Sequence, residues 1–470
     1  MFNHRLEGRK ENVMSHRLIK KIQLENHGIQ KMRIGDINGD GYTELVFTQS
    51  YPMNREICAV TAIDMDGNVL WRHGDILDKC DYAYSDIPVQ IIDWDGDGKQ
   101  EVLYVKQAYY KSAKLWSYSK CRHVEIQNPS YDTLRFDRDL AAEFATEYEG
   151  TALLMVLDGA TGEVKEQIPV PAPADDSFVF GLFDGTGKLN ILIKDRYWNE
   201  YALDHEGNIL WHLNSKELHT HMGHCPAIGD IDDDGLDEVF ISDTLYDHDG
   251  SVLWKLPNIC CHHDAAYILD SLKEPMIFTI ADKMRLITAT GEVLWEKDGG
   301  HLQTAHVGRL FADEKYGPYQ FLIQDQVPQA TDYHTGCRML EDGTAKGQRT
   351  TLYDFYGNEL WSEVTEDRPT YYLINWKGTY DCVLRVPQSG LVEIKDLINN
   401  TVETIEFETW NGVPFNDYWF DCYAADVLSD PRDELIMYCS DTVNIFMNTD
   451  AYNMKRHYNY SGYQPAITRS

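Results

Sequence analysis

Three stretches of this chain repeat one pattern that few folds accommodate: GDINGDGYTELVF at 35–47, IDWDGDGKQEVLYV at 92–105 and GDIDDDGLDEVFI at 229–241. Each reads as an apolar strand, a loop with side-chain oxygens at every second position and glycine at the bend, then a second apolar strand. Looser copies are LFDGTGKLNILI (182–193) and DVLSDPRDELIMY (426–438). A second signature follows, a tight turn leading to an apolar pair and Trp. It reads DMDGNVLW (64–71), DHEGNILW (204–211), DHDGSVLW (247–254), TATGEVLW (288–295) and DFYGNELW (354–361), with a weaker DGATGEV at 158–164.

The turn glycines Gly67, Gly162, Gly207, Gly250, Gly291 and Gly357 lie 95, 45, 43, 41 and 66 residues apart. The short spacings suit a four-stranded propeller blade of roughly 40–50 residues. The long ones imply insertions near 106–150 and 325–350. Six turns plus the tail at 370–447 predict an all-β fold: a single seven-bladed β-propeller of four-stranded antiparallel blades, one domain over 1–470. The N-terminal stretch HRLIKKIQL is expected to pair with the last blade, since closing the ring removes exposed sheet edges.

Composition narrows the partners. With 76 acidic against 42 basic residues the formal net charge is −34, a field that repels nucleic acid and anionic membrane. No apolar run of about 18 residues offers a membrane span. The N-terminal MFNHRLEGRKENVMSHRLIKKIQ lacks the apolar core of a secretory leader. The ten cysteines are scattered without a framework spacing, and Cys260–Cys261 is a vicinal pair, so reduced thiols in a cytoplasm are expected.

The Asp-rich loops offer Asp36, Asn38, Asp40 and Glu44; Asp93, Asp95, Asp97 and Glu101; and Asp230, Asp232, Asp234 and Glu238. Hard oxygen ligands at this spacing suit Ca²⁺, although the Glu arrives earlier than in an EF-hand loop. The competing reading has these side chains capping the turn through backbone N–H groups with no ion. Both leave the loops as stitching rather than catalytic machinery.

The loops resemble the FG-GAP/VCBS-type repeats of integrin-like propellers. The fuller pattern, KDRYWNEYALDHEGNILW, GHCPAIGDIDDDGLDEVF, LYDHDGSVLW, HHDAAYILD and SDPRDELIMY, is similar to propeller polysaccharide lyases of rhamnogalacturonan, ulvan and rhamnose–glucuronate type. The resemblance spans about 30–465. It implies β-elimination next to a uronic acid on a rhamnose–uronate type glycan, by His together with Tyr and Arg.

In a propeller, residues just ahead of each blade's first strand ring one mouth of the central channel. Histidines crowd that phase in three successive blades: His219, His221 and His224; His262 and His263; His301 and His306. His224, His263 and His306 are the candidate acid–base groups, and His221, His262 and His301 the candidate substrate contacts. Neutral imidazoles there could instead hold a divalent metal at the channel, oriented by Asp264. KDRYWNEY adds Arg196 and Tyr197 as candidate cation and phenol, and FNDYWFDCY adds Tyr418 and Trp419 as a sugar platform. His123 in the long insertion is a further candidate. Each has a bland counterpart: a packed or exposed His, a salt-bridged Arg, a Trp in the inter-blade core.

Two other functions remain open. A glycoside hydrolase on the same scaffold needs two carboxylates about 5–10 Å apart, for which Asp176, Asp264 and Asp421 are available. A non-catalytic binding propeller needs no ring of histidines at all.

Overall fold

The computed structural model describes residues 16–25, 32–51, 56–77, 89–117, 119–127, 140–141, 149–174, 178–195, 198–218, 222–224, 226–257, 265–281, 283–300, 302–325, 347–367, 369–387, 391–406, 408, 410, 421–428, 432–439 and 441–450. Among them, 34 strands form eight antiparallel sheets. Seven blades run in chain order over 33–74, 89–170, 178–214, 227–255, 265–298, 302–365 and 370–405. The eighth takes three strands from 421–448 and its fourth from His16–Gln23, which pairs antiparallel with Thr442–Asn448.

The fold is therefore an all-β propeller with eight blades, and the predicted count of seven is corrected. The tail counted as one blade holds two. The seventh escapes both signatures because other residues do the same backbone work. Its outer turn reads Asp396–Leu397–Ile398–Asn399–Asn400, and Asn400 takes the positive φ of 52° that glycine takes elsewhere; asparagine tolerates that region better than most residues. The predicted N-terminal pairing is present, as the His16–Gln23 strand.

Within a blade the burial pattern follows position. Second strands such as Glu44–Ser50 and Asn190–Lys194 are buried at every residue, their polar residues included, being covered on both faces. Fourth strands such as Val69–Gly74 are half exposed.

The Trp that ends the second signature ties one blade to the next. Trp71, Trp211 and Trp254 donate their indole N–H to the carbonyls of Gly159, His248 and Ala289 in the following blade, at 2.7, 2.8 and 2.8 Å. The turn glycine of that following blade lies against the same ring. Gly250 has φ 82°, and a Cβ on it would stand 2.7 Å from the Trp211 ring. Glycine is thus required there both for conformation and for space.

Two compact units divide the chain. One comprises Leu24–Ala305, Ile323–Arg349 and Ser461–Ser470 and holds the first five blades. The other comprises Met1–Gln23, His306–Leu322 and Thr350–Tyr460 and holds the seventh and eighth; the strands of the sixth divide between them. The long second strand of the second blade, Glu101–Ser117, carries two extra strands, Arg122–Gln127 and Leu140–Ala141, which account for the first predicted insertion. Cys58, Cys121, Cys382, Cys422 and Cys439 are free thiols, and no helix among the described residues is long and apolar enough to cross a membrane.

Candidate functional site: the far-end loops and the near-end turns

Antiparallel alternation gives every blade two chemically different ends. The first strand begins at what we term the near end, and the connection between second and third strands returns there. The connections from first to second and from third to fourth strands lie at the far end. The Asp-rich loops join first to second strands, so they belong to the far end. The segments leading into the first strands Ala227–Gly229, Ala265–Leu269 and Leu302–Gly308 belong to the near end. A strand of five to seven residues separates the two ends of a blade by roughly 15–20 Å. Both insertions join second to third strands and so leave from near ends.

At the far end, the first Asp of each loop is a turn cap. Asp36 accepts the amides of Gly39 and Asp40 on one oxygen and Gly41 on the other, at 2.8, 3.1 and 3.0 Å. Asp93 holds Gly96 and Gly98, and Asp230 holds Asp234 and Gly235, in the same way.

The loop glutamates close their own loops. Oε2 of Glu44, Glu101 and Glu238 accepts the amides of Ile37, Trp94 and Ile231, at 3.0, 2.8 and 2.7 Å. Glu434 does so for Val427 at 2.9 Å in the eighth blade. Where the signature is degenerate, Asn190 accepts from Phe183 at 2.6 Å and Gln320 from Leu310 at 2.8 Å. A neutral amide oxygen suffices, so capturing this amide is the shared duty, and the acid is an addition to it.

That addition distinguishes the three loops. In the first, the Asn38 side-chain amide donates to Glu44 at 3.0 Å and to Asp40 at 3.2 Å. In the second, the Lys165 ammonium sits between Asp95 and Glu101 at 2.7 and 2.8 Å, and bonding to those two carboxylates raises its pKa. Asp97 instead accepts the Lys99 amide at 2.8 Å. Among the described residues the third loop has no such donor. Asp230, Asp232 and Asp234 can bring one oxygen each within 4.8 Å of one another, and the second carboxylate oxygen of Glu238 is buried without a partner. Burial pushes the Glu238 carboxyl up to about 7 against the pull of the Ile231 amide, and Asp232, Asp234 and Asp230 add to the rise. These hard oxygens with an unspent buried carboxylate fit a calcium-type cation; the second loop already carries a tethered one.

At the near end, His221, His262, His263, His301, Arg196, Tyr197, Tyr418 and Trp419 lie outside the described residues, as do His219, Asp176 and Asp264 and the side chain of His123. His224 lies three residues ahead of its strand, in the expected phase, with a side chain only 2 % exposed. His306 departs from that phase, since it lies inside the strand Leu302–Gly308. Its ring packs on Tyr372 at 5.3 Å and its Nε2 is buried with no partner among the described residues. Burial pushes its pKa down to about 4, which makes it a neutral imidazole near pH 7. Asp421 opens the first strand of the eighth blade and is buried.

The described residues on either side of 196–197 are tied together. Asp195 accepts the amides of Trp198 and Asn199, each at 2.8 Å, and the Asn199 side chain at 2.5 Å. Asn199 Oδ1 in turn lies 2.9 Å from His212 Nε2 and accepts from Asn214 at 2.7 Å. The adjoining residues Lys194 and Glu200 are both fully buried and face each other in register. Sequence reasoning passed over this pair. The available signal was a Lys and a Glu flanking the same short motif where strands would otherwise be apolar.

No protein-family model and no curated protein matches the chain. Among solved structures it is similar to rhamnogalacturonan lyase YesW, with 19% identity and a TM-score of 0.58 over 91% of this chain and 73% of that one. A rhamnogalacturonan lyase from Bacillus licheniformis gives the same values. The V. cholerae biofilm matrix protein Bap1 is similar at 13% identity and a TM-score of 0.51, over 93% of this chain and 91% of that one. Proteins with such different roles share this architecture, so what the likeness establishes is the fold, a β-propeller.

Proposed function

We propose that this chain is a polysaccharide or oligosaccharide lyase, cleaving a glycosidic bond next to a uronic acid by β-elimination. The observation that carries the reading is topological. Arg196 and Tyr197 fall in sequence between the second and third strands of the third blade, the connection that the topology assigns to its near end. The histidine-bearing segments at 219–224, 262–263 and 301 lead into the near ends of the fourth, fifth and sixth. The rhamnogalacturonan lyases among its structural neighbours support the same reading, with a rhamnose–uronate type glycan as substrate.

The chemistry assigns distinct duties. A cation must neutralise the uronate carboxylate, a base must remove the acidified C5 proton, and an acid must protonate the departing C4 oxygen. Arg196 suits the first, and Tyr197 with His263 suits proton transfer. In this reading the far-end loop at Asp230, Asp232, Asp234 and Glu238 is a structural calcium site remote from the reaction. The deciding experiment incubates the protein with rhamnogalacturonan and other uronate glycans and follows the ultraviolet absorbance of the unsaturated uronate product. The absorbance should grow, and Arg196→Ala and His263→Ala should abolish it in folded protein. Cleavage without an absorbing product would make the protein a hydrolase, and no cleavage of any uronate glycan would make it a binding propeller.

A further inference from the structure

The buried Lys194–Glu200 pair is placed as no core pair needs to be. Lys194 ends the second strand of the third blade and Glu200 lies at the start of the third strand; they are direct antiparallel partners. Partners of this kind point to one face with Cβ atoms about 4.5–5.5 Å apart. Yet Lys194 does not bond to Glu200. Its ammonium donates to the backbone carbonyls of Gly223 and, at 3.0 Å, His224, in the segment that leads into the fourth blade. Both carboxylate oxygens of Glu200 are buried, with no hydrogen-bond partner among the described residues.

The surroundings explain why the pair is open. Facing Glu200 are Lys194 and Asp195 on its own hairpin, Leu213 opposite it on the fourth strand, and Tyr246 on the fourth blade. Asp243 stands by Tyr246. Burial pushes the Glu200 carboxyl up to about 8, with Lys194 opposing and Asp195 adding to the rise. Near neutrality it is an uncharged acid and Lys194 is free to hold the backbone carbonyls. An ionised carboxylate buried without a partner costs several kcal/mol, so on losing its proton Glu200 must recruit a donor. Among the described residues the only ammonium beside it is that of Lys194, on a flexible four-carbon stem.

We propose that Glu200 is a proton-operated release for the Lys194 clamp: when ionised, it draws the Lys194 ammonium from the Gly223 and His224 carbonyls and loosens the segment that carries His224. The proton leaves to solvent and no bond other than hydrogen bonds is exchanged. Gly223 is held at φ 64° in that segment, a conformation that the Lys194 bonds help to fix. The clamp stands on its own geometry; its meaning as regulation of the near end rests on the lyase reading.

The test is backbone hydrogen exchange of peptides covering 218–228, from about pH 6 to about pH 9.5. Rates are corrected for base catalysis against a first-blade peptide of the same protein. In the wild type, corrected protection should fall about tenfold through a midpoint near the Glu200 value. Glu200→Gln, which keeps the shape and cannot ionise, should hold its protection across the range. Lys194→Met should be unprotected throughout, with circular dichroism showing that the blades remain folded. An identical pH-dependent loss in Glu200→Gln, or a flat wild-type profile, overturns the proposal. Exchange needs no turnover, so a protein without lyase activity that shows the transition refutes the lyase reading alone.

Discussion

Glu238 accepts the Ile231 amide on one carboxylate oxygen at 2.7 Å, and its other oxygen is buried with no partner among the described residues. The two halves of that carboxylate predict different behaviour. Glu238→Ala loses the amide bond and should cost about 1–3 kcal/mol, whereas Glu238→Gln keeps it. The folded carboxyl is raised from its ordinary 4.5 to about 7. Its favourable contribution is therefore complete below about pH 4.5 and lost as pH rises through about 7. Urea unfolding in chelator should show that loss, on the order of 1–2 kcal/mol after solvent screening. Saturating calcium or Glu238→Gln should flatten it.

Lys165 predicts the reverse for the second loop. Replacing it with Met removes the ammonium between Asp95 and Glu101, leaving an acid cluster like that of the third loop. The variant should melt lower in chelator, by about 1 kcal/mol, and recover with calcium. Isothermal titration should report one more calcium bound than in the wild type.

Gly250 and Trp211 should behave as one unit. Gly250→Ala puts a Cβ 2.7 Å from the indole at a positive φ and should cost about 2–4 kcal/mol. Trp211→Leu loses the bond to the His248 carbonyl but opens the space. The double variant should therefore be less destabilised than the sum, and thermal unfolding of all four proteins measures the coupling.

His306 predicts acid sensitivity. Burial lowers its folded pKa from 6.5 to about 4. The stability tied to its neutral form is full above about pH 6.5 and is lost as pH falls through about 4, on the order of 1–3 kcal/mol. Chemical unfolding at several pH values should show this slope, and His306→Gln should reduce it.

Much of the fold could be read from residues alone. The Asp-rich loops and Gly-x-x-Leu-Trp turns mark strand ends because a tight bend needs particular backbone freedom and particular caps. The missed blade shows the limit: Asn400 meets the same backbone demand without the same letters. For the site, sequence order gave the phase of His224, but not that its ring is buried. His306 lies inside the strand Leu302–Gly308 rather than ahead of it, because where a strand begins is set by pairing with its neighbour.

The sequence by itself determined the blade repeat, its antiparallel alternation and hence which residues share an end, since these follow from local periodicity and turn chemistry. Tertiary structure alone decided how each polar group is spent. Glu238, Glu101 and Glu44 look equivalent in the chain, and each accepts an amide of its own loop on one oxygen. Among the described residues the other oxygen finds no donor in Glu238, an ammonium 64 residues away in Glu101 and the Asn38 side-chain amide in Glu44. Lys194 and Glu200 are register partners across one hairpin, yet their side chains form no ion pair. Burial and the partners brought by distant strands set charge, protonation and hydrogen bonding, and no local pattern encodes which partner arrives.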